Sequence, residues 1–541
     1  MDATGAALIT RRIGLGRSWR ASLVALPAAF LLVFYVWPVI TLLTTVVDGN
    51  AIADTVGRPG LGRVLWFTTW QAVVSTAATM AVGLGPAYLV ARWQFRGRRL
   101  LTAALTVPFL LPTVVVGAAF TALLPERLER TALAIVAAHV FFNVAVVVRV
   151  VGTMWARLPP DLTSAARVLG AGAWQAFRHV TLPLLRPSLL AASSITFLFT
   201  FTSFGVVQIL GGPGNATVEV EIARRATQLG DIGGAAALSL LQLVVLALLV
   251  AVSVRVQRRA SVRLALRPAT PAMPRTQLRR LAVGGAAALT AVVMAAPLVA
   301  LSLSSFRIGG RWSVSPWTTL GDPAERPGAD LGIDAFEAII ASLRAAVPAT
   351  LIAVLVGGLA TVVIADARRS GRLLDVGTML PLGTSAVTIG FGMLITFDHG
   401  IVDWRGDRWL VAVGHALVAV PFVVRAALPV LRSRPPGWIE AAAMLGASPG
   451  RAWWEIDVRL LRRPLLVGAG FAAAISMGEF GATTFLGRSG QETLPVAIAR
   501  LLGRAGDLPR AQASVLAVLL AVVTLAVLLA VDSLDAPNRA A

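Results

Sequence analysis

Read for polarity alone, the chain is a series of long apolar runs separated by short polar stretches. A helix of about 20 apolar residues crosses a bilayer. Runs of that length recur near 21–47, 65–91, 100–124, 131–156, 188–212, 234–254, 282–304, 341–365, 374–397, 409–431, 465–487 and 512–532, which predicts twelve spans. The first run follows Arg11, Arg12, Arg17 and Arg20, the charge layout of a signal peptide. It is too long for one, contains Trp37 and Pro38, and lacks a small-residue cleavage site, so it reads as a retained span.

The pattern repeats. His139 and Arg149 in AHVFFNVAVVVR correspond to His415 and Arg425 in GHALVAVPFVVR, 276 residues on. Gly170 matches Gly446, and Phe204–Gly205 matches Phe480–Gly481, in the same register. This predicts two tandem six-span domains, 1–254 and 282–541, joined by a basic linker at 255–281 that contains Pro268, Pro271 and Pro274. An even number of spans per copy points both copies the same way, about a pseudo-two-fold axis along the membrane normal, with a path between them.

Composition supports a membrane protein and narrows its chemistry. Of 541 residues, 57% are hydrophobic and only 14% charged, against about 25% charged in soluble domains, and mean hydropathy is +0.77. A soluble enzyme and a disordered chain are excluded. The net charge of +21 comes from 48 basic residues, all Arg. With both termini in the cytoplasm, most of these arginines fall on inner segments. The charge is therefore a topology signal, and no nucleic-acid partner is expected. Without Cys there is no disulfide, thiol or Fe–S chemistry. Without Lys there is no P-loop or Schiff base. No catalytic residue, metal or cofactor is predicted.

Function is concentrated in two inner loops. LPPDLTSAARVLGAGAWQAFRHVTLPLLRPSLL (158–190) follows the fourth span, and RPPGWIEAAAMLGASPGRAWWEIDVRLLRRPLL (434–466) follows the tenth. Pro-Pro ends the preceding helix. A short helix (Thr163 to Leu169, Ile439 to Leu445) then ends at Gly170 or Gly446 as a C-cap. A second, amphipathic helix with Phe177, Val180 and Leu182, or Trp453, Ile456 and Val458, on one side should hold it from beneath. One such loop also fits a basic segment lying on the inner leaflet. Two at equal offset argue for a shared lever.

Ser164-Ala165-Ala166 with Gly170 and Leu182-Pro183, and Glu440-Ala441-Ala442 with Gly446, resemble the EAA loops of ATP-binding-cassette importer permeases. The first copy lacks the acidic residue, and the second has Val458-Arg459 where the first has Leu-Pro. The resemblance implies an all-α polytopic protein of two type I importer permease domains in a bacterial inner membrane. It also implies two cytoplasmic ATPase subunits docked on the loops and an external solute-binding protein. The fused form is similar to thiamine and ferric-iron importers. AHVFFN (138–143), SFGVVQILGGPGNATVEVEI (203–222), VRLLRRP (458–464) and SMGEFGATTFLGRSGQETLP (476–495) look most like the thiamine branch, while GEFGAT also resembles sulfate and molybdate permeases.

Candidate path residues lie in the fifth and eleventh spans: Ser203, Phe204, Gln208, Ser476, Glu479 and Phe480. A carboxylate at membrane depth is costly unless it faces protein or water. Either Glu479 and its equivalent Ser203 line the path of a cationic solute, with Phe204 and Phe480 as a gate, or Glu479 pairs with an Arg of a neighbouring helix or lies near the outer interface. His139 and His415 have no second ligand at i+3 or i+4, so each reads as a packing or hydrogen-bonding histidine rather than a metal ligand. Arg149 and Arg425 snorkel to headgroups or brace the loops. GGPGN at 211–215 reads as an outer turn, misplaced for phosphate binding. A secondary transporter, the rival reading, needs several intramembrane carboxylates and leaves the loops unexplained.

Overall fold

The computed structural model describes residues 17–47, 51–212, 214–260, 271–320, 335–366, 369–398, 404, 407–435, 437–488 and 492–535. Arg11, Arg12, Pro268, Pro436 and the middle of the 255–281 linker lie outside them. The described chain is helical apart from one hairpin, in which Arg307–Ile308 pairs with Arg311–Trp312. Ten helices are long and apolar enough to span a bilayer, or twelve elements if two sharply bent pairs each count as one.

Those pairs correct the third and ninth predicted spans. Arg98–Leu110 and Thr113–Leu123 meet at 106°, and Gly371–Gly383 and Ala386–Phe397 at 101°. In the first, Leu111 is extended (φ −74°, ψ 143°) because the ring of Pro112 disfavours a helical residue before it. In the second, Ser385 leaves the helical region and its Oγ accepts from the N–H groups of Val387 and Thr388, starting a new helix. A hydropathy window sees only the unbroken apolar run.

The fifth and eleventh spans also differ from expectation. They begin in the loops, as Ala173–Phe201 and Gly450–Gly478, and stop before the predicted 212 and 487. The amphipathic segment expected as a separate helix is instead the first turns of the span, joined to it by a π turn (Phe177–Thr181; Trp453–Val458). Pro183 follows that turn in the first half and Arg459 in the second. The widened turn therefore does not depend on proline.

Two compact units form, and each includes helical segments from the other sequence half. One contains residues 1–42, 340–487 and 523–541, the other 43–339 and 488–522. In the first unit, Phe30, Leu31 and Tyr35 of the N-terminal helix join the core built by Ala349–Phe397 and Leu410–Leu428, and Tyr35 Oη lies 2.6 Å from Thr384 Oγ1. In the second, Val283 and Met294 of Gln277–Ser304 join the core around Val116, Ile135 and Val147.

Within each unit the same close crossing recurs. A Cβ on Gly83 would come within 2.9 Å of Val147, and one on Gly357 within 2.9 Å of Val423. Glycine allows those backbones to touch, and any larger residue separates the helices.

Candidate functional site

The two loops project from the ends of helices Thr153–Arg157 and Trp409–Arg432. Pro160 occupies the first turn of Pro160–Val168, where its missing N–H costs nothing; the second copy is Gly437–Met444. Each starts two to three residues earlier than the sequence reading placed it. Both end in the same Schellman closure. Ala171 N–H bonds Ala166 O (3.0 Å) and Gly170 N–H bonds Arg167 O (3.0 Å); Ala447 N–H bonds Ala442 O and Gly446 N–H bonds Ala443 O (2.9 Å each). Gly170 (φ 87°) and Gly446 (φ 79°) are left-handed, and an added Cβ on either would meet nothing within 4 Å. Backbone conformation, not space, demands glycine there.

What these helices present is unusual for a water-facing surface. Val168 and Leu169 are each 87% exposed, and their counterparts Met444 and Leu445 are 89% and 88% exposed. Leu162 and Trp438, also equivalent, add to the same patches at 40% and 50%. Ser164 and Glu440 lie beside them, with Ala165, Ala166, Ala441 and Ala442 forming the short helical body. Contiguous apolar groups at this exposure are of the kind that a protein partner or a membrane covers.

The roots of the loops are held differently. In the first, Trp155, Phe177 and Trp174 form a stack, with ring centroids 6.1 and 5.6 Å apart. In the second, Arg434 forms an ion pair with Asp457, whose side chain is only 5% exposed. Arg425 and Arg432 lie 4.0 and 3.9 Å from Asp375.

The remaining candidate residues lie at or next to a break where a long helix ends and a short one begins, Phe201 to Gly205 and Gly478 to Gly481: Ser203, Phe204, Glu479 and Phe480 within the breaks, Ser476 in the last turn of a long helix and Gln208 on a short one. A buried histidine clamps each break. His139 Nε2 lies 2.8 Å from Ser203 Oγ, and its Nδ1 lies 3.1 Å from Ser75 Oγ. His415 Nδ1 lies 2.8 Å from Ser476 Oγ, and its Nε2 lies 2.7 Å from Thr483 Oγ1. Both are hydrogen-bonding histidines, as their isolation in the sequence implies. Ser75 and Thr483 went unrecognised, because nothing local marks a hydroxyl whose partner is 64 or 68 residues away.

Glu479 is half-buried and has become a helix cap: Oε1 accepts from Ala482 N–H at 3.0 Å, at the start of Gly481–Leu486. Phe204 and Phe480 are buried (7% and 6% exposed), whereas Gln208 is exposed on the short helix Gly205–Leu210. The bent pairs buttress these helices. A Cβ on Gly117 would come within 2.9 Å of Ile209, and one on Gly390 within 2.6 Å of Ala482.

Two six-span copies, each with a capped, apolar-tipped loop and a histidine-clamped break, are matched twice by one family, described as the binding-protein-dependent transport system inner membrane component, at residues 79–263 and 349–536. The chain belongs to that family. It is a multi-pass inner-membrane permease of an ATP-binding-cassette importer. The permease is 28% identical to the thiamine transport system permease protein ThiP of Brucella suis over 505 residues, 89% of each chain. It is 26% identical to ThiP of Escherichia coli K12, covering 82% of this chain and 84% of that one. The sulfate transport system permease protein CysT of Salmonella typhimurium is 33% identical over 172 residues, 29% of the permease and 62% of CysT.

Proposed function

We propose that the permease imports thiamine or a closely related cation. An external binding protein delivers the solute, and two cytoplasmic ATPase subunits drive transport by docking on Pro160–Val168 and Gly437–Met444. The observation that carries the docking is the matched pair of exposed apolar tips, Val168–Leu169 and Met444–Leu445, each fixed by a left-handed glycine. A nearly bare Leu or Met gains about 1.5–3 kcal/mol when covered, which suits a surface that a partner groove encloses. The solute reading rests on the relatives named thiamine permeases, which match along most of the chain, and on Glu479 as a single carboxylate near the breaks. Both termini lie in the cytoplasm. Ser203, Phe204, Gln208, Ser476, Glu479 and Phe480 line or gate the path. The closures at Gly170 and Gly446 and the continuity of each loop with the next span through a π turn suit a lever that passes an ATPase stroke into the bundle.

The test is reconstitution of the permease with its ATPase and binding protein in proteoliposomes. Thiamine uptake and thiamine-stimulated ATP hydrolysis are expected for the native chain. Val168→Asp with Met444→Asp should abolish co-purification of the ATPase. Uptake that persists without ATP under a proton gradient would defeat the reading.

A further inference from the structure

At the end of the second unit opposite the first loop, a cavity of about 540 Å³ collects Arg58, Arg63, Arg130, Arg224 and Arg225 around one lining carboxylate, Glu221. Three separate segments supply these arginines. Part of the set is internally neutralised. Arg224 holds Glu221 through two bonds of 2.9 Å, Arg225 Nε adds a third at 2.9 Å, and Arg58 pairs with Asp231.

Arg63 and Arg130 are not neutralised. Among the described residues, neither the Arg63 nor the Arg130 guanidinium has a hydrogen bond or a carboxylate partner. Arg225 is nearly buried (6% side-chain exposure), and its Nη1 makes no hydrogen bond, lying 3.6 Å from Asp231.

Backbone geometry points to the same place. Arg130 is the one described residue other than glycine with a positive φ, 57°, a conformation that costs about 1–3 kcal/mol. Asn215 Nδ2 holds it by donating to Arg130 O at 3.0 Å. Gly212 leaves room beside it, since a Cβ there would come 3.3 Å from Arg130 Cβ and O. Sequence places GGPGN as an outer turn unsuited to bind phosphate itself; in the structure its Gly212 and Asn215 instead hold an arginine at the cavity. At the 276-residue offset, Glu221 and Arg225 become Ala497 and Leu501, so the second half does not repeat the arrangement.

We propose that this cavity binds a phosphate or phosphate-ester group, with Arg63 and Arg130 as open forks at the rim beside the Arg224–Glu221–Arg225 cluster. Several convergent guanidinium forks suit a multiply charged tetrahedral anion better than a single carboxylate, and they repel a cation. The cavity is therefore distinct from any path for a cationic solute. The group belongs either to a small anion or to a lipid headgroup. The inference does not rest on the solute proposed above, because binding is read on the purified chain without transport.

The probe is inorganic pyrophosphate, titrated calorimetrically into the full chain in phosphatidylcholine nanodiscs. Saturable binding that weakens at least tenfold in Arg63→Gln/Arg130→Gln, and is unchanged in Arg279→Gln, supports the site. Arg63→Gln alone, at an exposed side chain, keeps the test valid if the double variant misfolds; it should weaken binding severalfold. In nanodiscs doped with phosphatidylglycerol, retention of that lipid by the native chain but not by the arginine variants assigns the group to a headgroup. The proposal is overturned if neither probe binds in a way that depends on these arginines, or if they retain only an acidic protein.

Discussion

The two loop roots solve one mechanical problem with different chemistry. Each must hold a short helix rigidly on the end of a span. The first half does so with stacked rings, Trp155, Phe177 and Trp174, over the buried Leu158 and Thr181. At the equivalents of those last two positions the second half places Arg434 and Asp457 and buries the ion pair. The geometry that results is the same down to the Schellman hydrogen bonds. Shape is shared, and the energetics differ. Stacked rings tolerate partial loss, whereas removing one partner of a buried ion pair is strongly destabilising.

That difference can be broken deliberately. The largest effect is expected from Asp457→Ala, which removes the buried carboxylate paired with Arg434 and should cost about 3–5 kcal/mol, read as a lowered unfolding midpoint in detergent. Arg434→Leu with Asp457→Thr, which copies the first half, should be closer to native than either single change; a double variant worse than both would show that the two roots are not interchangeable. A smaller effect is expected at the histidine clamps. His139→Ala and His415→Ala each leave two buried hydroxyls without a ring partner, at about 1–3 kcal/mol per unsatisfied group, and hydrogen exchange should report loosening of the breaks at 201–205 and 478–481. The smallest concerns Glu221. Burial raises its pKa, but bonds to Arg224 and Arg225 outweigh burial and hold it below the ordinary 4.5. Its contribution is therefore present above pH 4.5 and lost only as pH falls through the lower folded value. Glu221→Gln should remove that acid-side dependence from the unfolding midpoint.

Much of this was legible in sequence because it depends on local rules. The spans come from apolar length, the repeat from a constant offset, and the loop ends from Gly170 and Gly446. The role of His139 and His415 came from an absence, the lack of further ligands at helical spacing. What escaped was set by non-local or directional chemistry. Leu111-Pro112 and Ser385 redirect an apolar run by about 100° without interrupting its hydropathy. The fifth and eleventh spans start in basic, partly polar stretches that a hydropathy scan discounts. Sequence leaves Glu479 as a path residue, an ion-pair partner or an interface residue, and its bond to Ala482 N–H depends on the helix ending at Gly478 and Glu479 being extended. The arginines of the cavity are scattered from Arg58 to Arg225, and only folding collects them.

The bond between Tyr35 and Thr384 joins residues 349 positions apart. During synthesis the first helix therefore enters the bilayer long before its packing surface has been made, and so does not find its final neighbours until most of the chain has been translated. A ribosome that stalls in the linker would release a fragment with one orphaned helix, an obvious substrate for membrane quality control, and cutting the gene between its halves would yield two pieces that must meet before either can finish folding.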